Sequence, residues 1–347
     1  MTSASGSRRG GVGWSTQATA RDVAALANVS AQTVSRVANG AENVSPETRA
    51  RVLEAMAKVG YTPNGAARAL RSGRSDMIGI VVHHLTRTGE ANIVQAVATT
   101  AHDRGYAVTL MDASTGAASD LNEALARIGP GVAGVVVLGL ETSDVDRLKA
   151  PGRLPVVVAD SRSLAHPAVG FDQRGGAQQA VGHLLGLGHA CVHMLAGPQS
   201  SLQSRLREHA WREFLTAAGR PVPPVLRGDW SPASGYAAGQ VLAADREVTA
   251  IFVANDEMAA GLMRAFHEAG RRIPDEVSVV GFDDVLAEYL WPPLTTVRQD
   301  FSAVGDGLVR LLLQRIGSPV ADPDPVSTVV PAHLVIRASS GPPPGHR

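Results

Sequence analysis

Residues 19–71 read TARDVAALANVSAQTVSRVANGAENVSPETRARVLEAMAKVGYTPNGAARALR, and this stretch predicts three short helices and a weaker segment after them. Thr19 precedes an apolar-periodic run and has Asp22 three residues later, a spacing typical of a capping box. Ser30 precedes the second run, and Ser45 is followed by a proline that suits the first helical turn. Because only a few residues separate the first two runs, the second helix must cross the first, as in a helix-turn-helix.

The words DVAALANVS, TVSRVANG, VSPETRARV and GYTPNGAARAL occur in this order within the stretch. Together they resemble the lactose-repressor/galactose-repressor family of bacterial transcription regulators. The resemblance implies a helix-turn-helix head over residues 18–62, a hinge helix and linker over 63–75, and a repressor that binds double-stranded operator DNA. Residues 1–17 are rich in Ser and Gly and are expected to form a disordered tail.

The second helix has a polar face that a purely structural helix would not need. Glutamine can pair with adenine and arginine with guanine along the major-groove edge, and the resemblance assigns base contacts to Ala31, Gln32 and Arg36. Small polar residues nearby are expected to contact phosphates, which sets register without specifying sequence. These are Thr19, Ser30, Thr33, Ser35 and Asn39.

The hinge segment is short and contains Gly65, so it is too weak a helix to persist alone. The resemblance implies that it orders on DNA, with Leu70 inserted into the minor groove and Asn64 and Arg68 as further contacts. Two plainer interpretations stay open: Arg36 as a solvated surface charge, and Leu70 as a residue that packs on the next domain.

Charge is divided unevenly along the 347 residues, although the net charge is +0. Residues 1–75 contain ten Lys/Arg and four Asp/Glu, a balance of +6, and the remainder contains 22 bases and 28 acids, a balance of −6. A basic head on an acidic body favours DNA contact by the head alone. No signal segment or membrane-length apolar run is visible, so a cytoplasmic protein without a membrane partner is expected.

From Met77 onward, short Val/Ile-rich runs alternate with amphipathic stretches of helix length. Runs that are apolar on both faces predict parallel sheets covered on both sides. The resemblance continues to about residue 340 and implies an α/β periplasmic-binding-protein-like body of two Rossmann-like parallel-sheet subdomains. The predicted strands are residues 77–82, 107–112, 134–140, 156–160, 191–197, 250–255 and 277–282.

The expected effector-binding and dimerisation domain spans residues 76–340. Subdomain one is expected over about 76–171 and 301–325, and subdomain two over about 172–300 and 326–340. Residues 341–347 are Pro-rich and are expected to form a second disordered tail.

Polar residues stand where several predicted strands end, the edge at which open parallel sheets bind ligands. Carboxylates and amides pair with hydroxyls, arginine donates a fork, and aromatic rings cover the apolar face of a sugar. Words such as LAGPQSSLQSRLREHAW, FVANDEMA and VSVVGFDD resemble the lactose-repressor branch of the family and imply a carbohydrate pocket. The contacts implied are Asp160, Arg207, Trp230, Asn255, Asp283, Gln299 and Phe301.

Four further residues receive an interpretation at this stage. Arg87 and Glu90 depart from the apolar pattern of that branch, so they are expected to alter the aglycone side of the pocket. Asp256 and Asp284 are expected to be structural caps rather than ligand contacts.

These features predict an allosteric repressor that a small sugar, galactose or a galactoside, releases from its operator by closing the two subdomains. The chain after Ala338 ends without leucine heptads, so a homodimer is expected. No cofactor, metal or catalytic residue is assigned. The alternatives are another sugar, a purine-like corepressor, a plain sugar-binding protein, and a glycoside-processing enzyme with Asp160 and Asp283 as its carboxylates.

Overall fold

The chain divides into two compact units, residues 1–74 and 75–347. A computed structural model describes residues 18–38, 41, 43–61, 75–83, 85–113, 118–138, 148–161, 166–317 and 326–345. Four predicted DNA contacts lie outside the described residues, together with the predicted tail 1–17 and nearly all of the predicted hinge. They are Asn39, Asn64, Arg68 and Leu70.

The first unit contains a bundle of three short helices, α1 (Ala20–Ala27), α2 (Ala31–Ala38) and α3 (Pro46–Val59). Asp22 N donates to Thr19 Oγ1 at 3.4 Å and Thr19 N donates to Asp22 Oδ2 at 2.7 Å, which is the reciprocal cap predicted for α1. Ser30 and Ser45 accept from backbone N–H groups in the first turns of α2 and α3, at 3.1 and 3.3 Å. The three predicted helix starts are confirmed.

The core of this bundle does not include every large apolar residue of its helices. Val23, Val34, Val37 and Val52 are buried at its centre, whereas Leu26 on α1 and Leu53 on α3 are 51% and 52% exposed. Each of these leucines is adjacent in sequence to a buried residue, and one step along a helix turns the side chain by about 100°. A helix this short buries only one stripe, so both leucines fall outside it.

The second unit alternates strands and helices. Its helices are α4 (Thr88–Asp103), α5 (Ala118–Ile128), α6 (Gln173–Gly186), α7 (Leu202–Ala217), α8 (Pro232–Ala244), α9 (Asp256–Glu268) and α10 (Phe301–Gly317). Its first strands are β1 (Met77–Val82), β2 (Ala107–Asp112), β3 (Gly134–Val137), β4 (Val156–Ala159) and β5 (Ala168–Phe171). The later strands are β6 (His193–Ala196), β7 (Leu226–Arg227), β8 (Ala250–Val253), β9 (Ser278–Asp283), β10 (Thr295–Arg298), β11 (Ser327–Val330) and β12 (His333–Val335).

The strands form two six-stranded sheets. Sheet one has the order β11-β5-β4-β3-β1-β2, with every pair parallel, and sheet two has the order β12-β10-β9-β8-β6-β7, with only β12 antiparallel. Strands at the centre of both sheets are buried along their length. The expected fold class, a helical head and a body of two parallel-sheet subdomains, is confirmed. Subdomain one here denotes sheet one with its helices, and subdomain two denotes sheet two with its helices.

The chain crosses between the sheets at three places in the described residues. It passes from β5 into α6, which packs on sheet two, then from β10 into α10, which packs on sheet one, and finally from β11 to β12. The last crossing corrects the expected boundary, because Ser327–Val330 pairs with β5 in sheet one although residues 326–340 were assigned to subdomain two. Two short runs separated by a proline do not reveal in sequence which sheet edge each will join.

The expected disordered tail at 341–347 is wrong for its first residues. Gly341 N donates to the buried Ser278 Oγ at 2.9 Å, and the carbonyl of Gly341 accepts from that hydroxyl at 2.8 Å. His189, also buried, lies with its Nε2 2.9 Å from the same carbonyl. Backbone hydrogen bonds to polar groups inside sheet two order this segment, and composition alone does not reveal such bonds. In the described part of the chain, no helix is both long and apolar enough to cross a bilayer.

Candidate functional site

A cavity of about 600 Å³ lies among the loops that follow the strands of both sheets. Residues from the carboxyl ends of parallel strands meet here, as expected for ligand sites in such sheets. All nine residues predicted to bind the effector line this one cavity: Arg87, Glu90, Asp160, Arg207, Trp230, Asn255, Asp283, Gln299 and Phe301. Their assembly is a finding of geometry, and their contact with a ligand stays a prediction.

Arg207, on α7, is buried and held by contacts around its guanidinium. Its Nε donates to Gln173 Oε1 at 2.7 Å, its Nη1 donates to the carbonyl of Ala254, and its Nη2 donates to Asp283 Oδ1 at 3.3 Å. The guanidinium carbon lies 3.7 Å from the centroid of the Phe282 ring. Burial lowers the pKa of Arg207, and Asp283 opposes that change. Over the described residues, these contacts use three of the five N–H donors and leave two for a ligand.

Asp283 ends β9 in an unusual backbone conformation, with φ at 106°. Residues other than glycine rarely occupy this region, and such conformations concentrate at functional sites. Burial raises the pKa of the Asp283 carboxyl, Arg207 opposes the rise, and the neighbouring Asp256 and Glu257 add to it. The carboxylate therefore faces the cavity with its charge supported mainly by one arginine.

Asp256 and Asp284, expected to be helix caps, are structural in another way. Asp256 accepts from Thr296 Oγ1 at 2.6 Å and Val285 N at 2.9 Å, and burial raises its pKa to about 7 in spite of those bonds. Asp284 pairs with two arginines at 2.6 and 2.7 Å. These bonds hold the segment after β9 in place. Neither carboxylate caps a helix, so the prediction that they are caps is wrong.

Trp230 forms an aromatic wall of the cavity. Its backbone φ is 77°, and its ring lies so close to Gly197 that a Cβ at that glycine would stand 2.4 Å from the ring. Asn255 Nδ2 donates to the carbonyl of Trp230 at 3.0 Å. Asn255 also begins α9, because its Oδ1 accepts from Met258 N at 3.0 Å. Asn255, which is predicted to contact the ligand, therefore bonds the backbone of Trp230 and also caps α9.

Residues in or next to α4, β4, β5 and α10 form the side contributed by subdomain one. Phe171 and Phe301 meet edge to face, with ring centroids 5.2 Å apart. Arg87 Nη1 lies 3.7 Å from Glu90 Oε1, and the side chains are 26% and 12% exposed. Asp160 is buried at the end of β4. This side therefore offers aromatic surface, one buried carboxylate and a loose ion pair.

Gln299 stands at the second crossover, between β10 and α10. The residue is buried, and its Nε2 has no hydrogen-bond partner among the described residues. Buried amide groups in proteins are nearly always bonded, so an unpaired one in a cavity indicates a place for a ligand or water hydrogen bond.

Of the polar lining residues that the sequence interpretation missed, Gln173 and Glu257 bond directly to predicted site residues. Gln173 follows β5, a strand with a single Val and no Val/Ile-rich run, so no pattern marked its position. Glu257 accepts from Asn255 Nδ2 at 2.7 Å. The run of polar residues after β8 could have indicated Glu257, because all of them follow the carboxyl end of one strand.

The head exposes the predicted base-reading residues together. Ala31, Gln32 and Arg36 are exposed on α2, while Val34 and Val37 on the same helix are buried. An exposed amide and guanidinium on one short helix form a surface suited to base edges in a major groove.

Several predicted phosphate contacts also serve as helix caps. Thr19 Oγ1 donates to Asp22 Oδ2 at 2.8 Å, so its only hydroxyl hydrogen is engaged within the cap. Ser30 Oγ and Thr33 Oγ1 lie 2.9 Å apart and share one hydrogen bond, which leaves one of their two hydroxyl hydrogens for a phosphate. Ser35 is half-buried on the same helix.

Comparison with known proteins agrees with both units. A family model described as bacterial regulatory proteins, lacI family, matches residues 19–64, and a periplasmic binding protein-like domain matches residues 181–340. The HTH-type transcriptional regulator CelR of Thermobifida fusca is 36% identical over 334 residues, which cover 91% of this chain and 96% of that protein. This chain belongs to the lacI family of bacterial regulatory proteins.

Solved structures of lacI-family regulators share the fold. A lac repressor dimer bound to operator and the anti-inducer ONPF has a TM-score of 0.82 at 33% identity and covers 94% of this chain and 99% of its own. A complex of CelR with cellobiose has a TM-score of 0.69 at 33% identity, covering 93% and 100%. Because these relatives are regulators, the expectations of a DNA-binding transcriptional repressor and of no enzymatic role are confirmed.

Proposed function

We propose that this protein is a dimeric repressor that an uncharged sugar releases from operator DNA, and that a galactoside is the first effector to test. The observation that carries the proposal is the cavity in which Arg207, Asp283 and Asn255 stand beside the Trp230 ring. A fork of donors, a carboxylate, an amide and a flat aromatic face match a ring that carries several hydroxyl groups.

The charges that line the cavity favour an uncharged ligand. Two arginines, Arg87 and Arg207, stand against five carboxylates, which gives a formal balance of −3, or −2 when Asp283 is protonated. A sugar phosphate would meet net repulsion here, whereas neutral hydroxyls can donate to the carboxylates. The five are Glu90, Asp160, Asp229, Glu257 and Asp283.

The volume and the polar end of the cavity support an effector with more than one ring. A volume of about 600 Å³ lies within the usual range for small-molecule sites. Arg87 and Glu90, at the start of α4, would offer a donor and an acceptor to a second sugar. The relative solved with cellobiose supports a disaccharide, and the resemblance of the pocket residues to the lactose-repressor branch supports a galactoside.

Each predicted domain has a role in the proposed mechanism. Residues 18–62 would bind the operator through Gln32 and Arg36, and residues 63–75 would act as the hinge that joins them to the effector domain. The sugar would bind the closed arrangement of the two subdomains better, and an allosteric coupling of about 1–3 kcal/mol would change DNA affinity by roughly 5–150-fold. A homodimer is supported by the dimeric lac repressor structure, and a tetramer mass in light scattering would contradict it.

A thermal-shift screen tests the effector class. Galactose, lactose, cellobiose, hypoxanthine and glucose 6-phosphate would each be added to the full-length protein. A ligand at 100 times its Kd stabilises by about 2.7 kcal/mol, which raises Tm by a few degrees. We expect a rise with a neutral sugar and none with the phosphate. A rise with hypoxanthine alone would establish the purine-like corepressor instead.

Substitutions in α2 test the DNA surface. A duplex would first be selected by the wild-type protein from a random pool. Arg36→Ala should weaken binding to it about tenfold or more, since a bidentate base contact discriminates by about 1–3 kcal/mol. Arg51→Ala is the matched control, because Arg51 is an exposed arginine of α3 paired with Glu47 at 3.8 Å. Equal affinities of the two variants would contradict the assignment of Arg36.

A further inference from the structure

The first crossover between the sheets places a polar side chain at the cavity. Asp172 N donates to the carbonyl of Val330 in sheet one at 2.9 Å, and Asp172 Oδ1 accepts from Gly175 N at 2.7 Å and so begins α6. Gln173 follows as the first residue of α6 and is only 4% exposed. It stands where the chain leaves sheet one and enters subdomain two.

The carbonyl of the Gln173 side chain determines how Arg207 is oriented. It accepts from Arg207 Nε at 2.7 Å, while Ala254 and Asp283 accept from the two Nη atoms. Contacts on three different nitrogens prevent rotation of the planar guanidinium, which holds the remaining N–H groups in place. Without the Gln173 acceptor, a buried charged donor would be left unpaired, and such groups are costly.

The ion pair of Arg207 and Asp283 lies between two crossovers. Gln173 ties Arg207 to the first crossover, and the backbone N–H of Gln299 donates to the carbonyl of Asp283 at 3.5 Å from the second. A glutamine of α6 bonds the third crossover as well, because Gln179 Nε2 donates to Ala332 O at 2.9 Å. Gln179 does not line the cavity and so provides a natural control.

We propose that Gln173 is a positioning residue that links effector binding at Arg207 to the first crossover between the subdomains. The proposal rests on the proposed function, because it requires a ligand at Arg207. A hydroxyl that bonds to the guanidinium pulls on a group that is already tied to the segment joining the two subdomains. Loss of the Gln173 acceptor should therefore weaken effector binding and also reduce the effect of the sugar on DNA affinity.

The test compares two substitutions of nearly equal length in the full-length protein. Gln173→Met removes the acceptor and keeps the volume, and Gln173→Glu keeps the acceptor. Gln179→Met repeats the first change at the third crossover. Affinity for lactose and cellobiose is measured by calorimetry, and affinity for the selected duplex is measured with and without saturating sugar.

We expect Gln173→Met to lose about tenfold or more in sugar affinity, which corresponds to about 1.4 kcal/mol. Gln173→Glu should stay within about threefold of the wild type, and Gln179→Met should be unchanged. The ratio of DNA affinities without and with sugar should fall in Gln173→Met alone. Wild-type affinity in Gln173→Met, equal loss in both Gln173 variants, or an unchanged ratio would each overturn the proposal.

A ligand-free measurement separates this proposal from the effector assignment. If the wild type binds neither sugar, the proposed effector class fails, and hydrogen exchange at Arg207 Nε, followed by NMR, still tests the positioning role. Protection in the wild type and Gln173→Glu but not in Gln173→Met would support it. Equal exchange in all three proteins would overturn it.

Discussion

The two walls of the cavity hold their charged residues in different ways. On the side of subdomain two, Arg207 and Asp283 form a pair at 3.3 Å with side chains 5% and 12% exposed, and Gln173 and Ala254 bond the same arginine. On the side of subdomain one, Arg87 and Glu90 lie 3.7 Å apart, and Arg87 is 26% exposed. The bonded wall, in subdomain two, has the shorter pair with the more buried arginine, and the looser wall, in subdomain one, has the longer pair with the more exposed arginine.

This difference indicates an order of events on binding. A wall whose groups are already oriented loses little conformational freedom when a ligand arrives, so it contributes more affinity for each contact. We expect the sugar to bind first to subdomain two, and subdomain one to complete the site on closure. Substitutions in the bonded wall should then affect affinity strongly, and substitutions in the looser wall should affect it weakly.

The largest effect is expected from Arg207→Ala, which leaves Asp283 buried without its partner. Removing one member of a buried pair costs about 3–5 kcal/mol of stability, and sugar binding should become undetectable by calorimetry. Arg174→Ala is the control, since Arg174 forms an exposed ion pair with Glu213 at 2.8 Å and such pairs contribute at most about 1 kcal/mol. Similar urea midpoints for both variants would show that the buried pair of Arg207 contributes no more stability than the exposed pair of Arg174, which would contradict this prediction.

A pH dependence should also arise from Asp256, which is buried in subdomain two and does not line the cavity. The pKa of Asp256 is raised to about 7 by burial, so the folded state retains a proton that the unfolded state loses near pH 4. The resulting stability is fully present below pH 4 and is lost as pH rises through about 7, by up to about 1.4 kcal/mol per pH unit. Asp256→Asn should reduce the slope of the free energy of unfolding, measured in urea, against pH between pH 4 and 7. The same slope in the variant and the wild type would contradict the raised pKa of Asp256.

A smaller effect is expected from the aromatic part of the same wall. Trp230→Ala removes the ring that lies over Gly197 and should lower sugar affinity about tenfold, since stacking on an aromatic face contributes about 0.5–1.5 kcal/mol beyond the buried area. Trp291→Ala is the matched control, because Trp291 is 91% exposed and does not line the cavity. Calorimetry that finds equal sugar affinity in both variants would remove Trp230 from the site.

The smallest effect is expected from the looser wall. Glu90→Gln should lower affinity for a disaccharide by about threefold, in the range of a single hydrogen bond, and should leave affinity for a monosaccharide unchanged. A loss as large as that of Arg207→Ala would reverse the proposed contrast between the walls. Equal losses for both sugars would place Glu90 against the first ring.

Sequence patterns were sufficient where one local signal determines structure. The caps at Thr19, Ser30 and Ser45 are short-range hydrogen bonds, and each of the seven predicted apolar runs overlaps a strand. The candidate pocket residues were predicted through a family resemblance, and the structure brings them together. Periodicity alone would not have selected them.

The features that were missed depend on long-range contacts. Strands β5, β10 and β11 each contain at most two Val and no Ile, so no Val/Ile-rich run marks them in the sequence, and their sheet positions follow from pairing. The order of the segment at Gly341 comes from a bond to Ser278, 63 positions away. The exposure of Leu26 could not be predicted for a different reason. An apolar residue beside the buried stripe of a helix has the same hydropathy as one within it.

The positions of the tryptophans allow ligand binding to be followed by intrinsic fluorescence. Trp230 forms a cavity wall and lies 5.7 Å from the Arg207 guanidinium, whereas Trp211 is fully buried and Trp291 is almost fully exposed. A sugar that covers Trp230 would shield that indole from water and shift its emission to shorter wavelength. Among these three tryptophans of the described residues, iodide would quench Trp291 first and Trp211 last, so the Trp230 emission could follow occupancy of the cavity in real time without any attached dye.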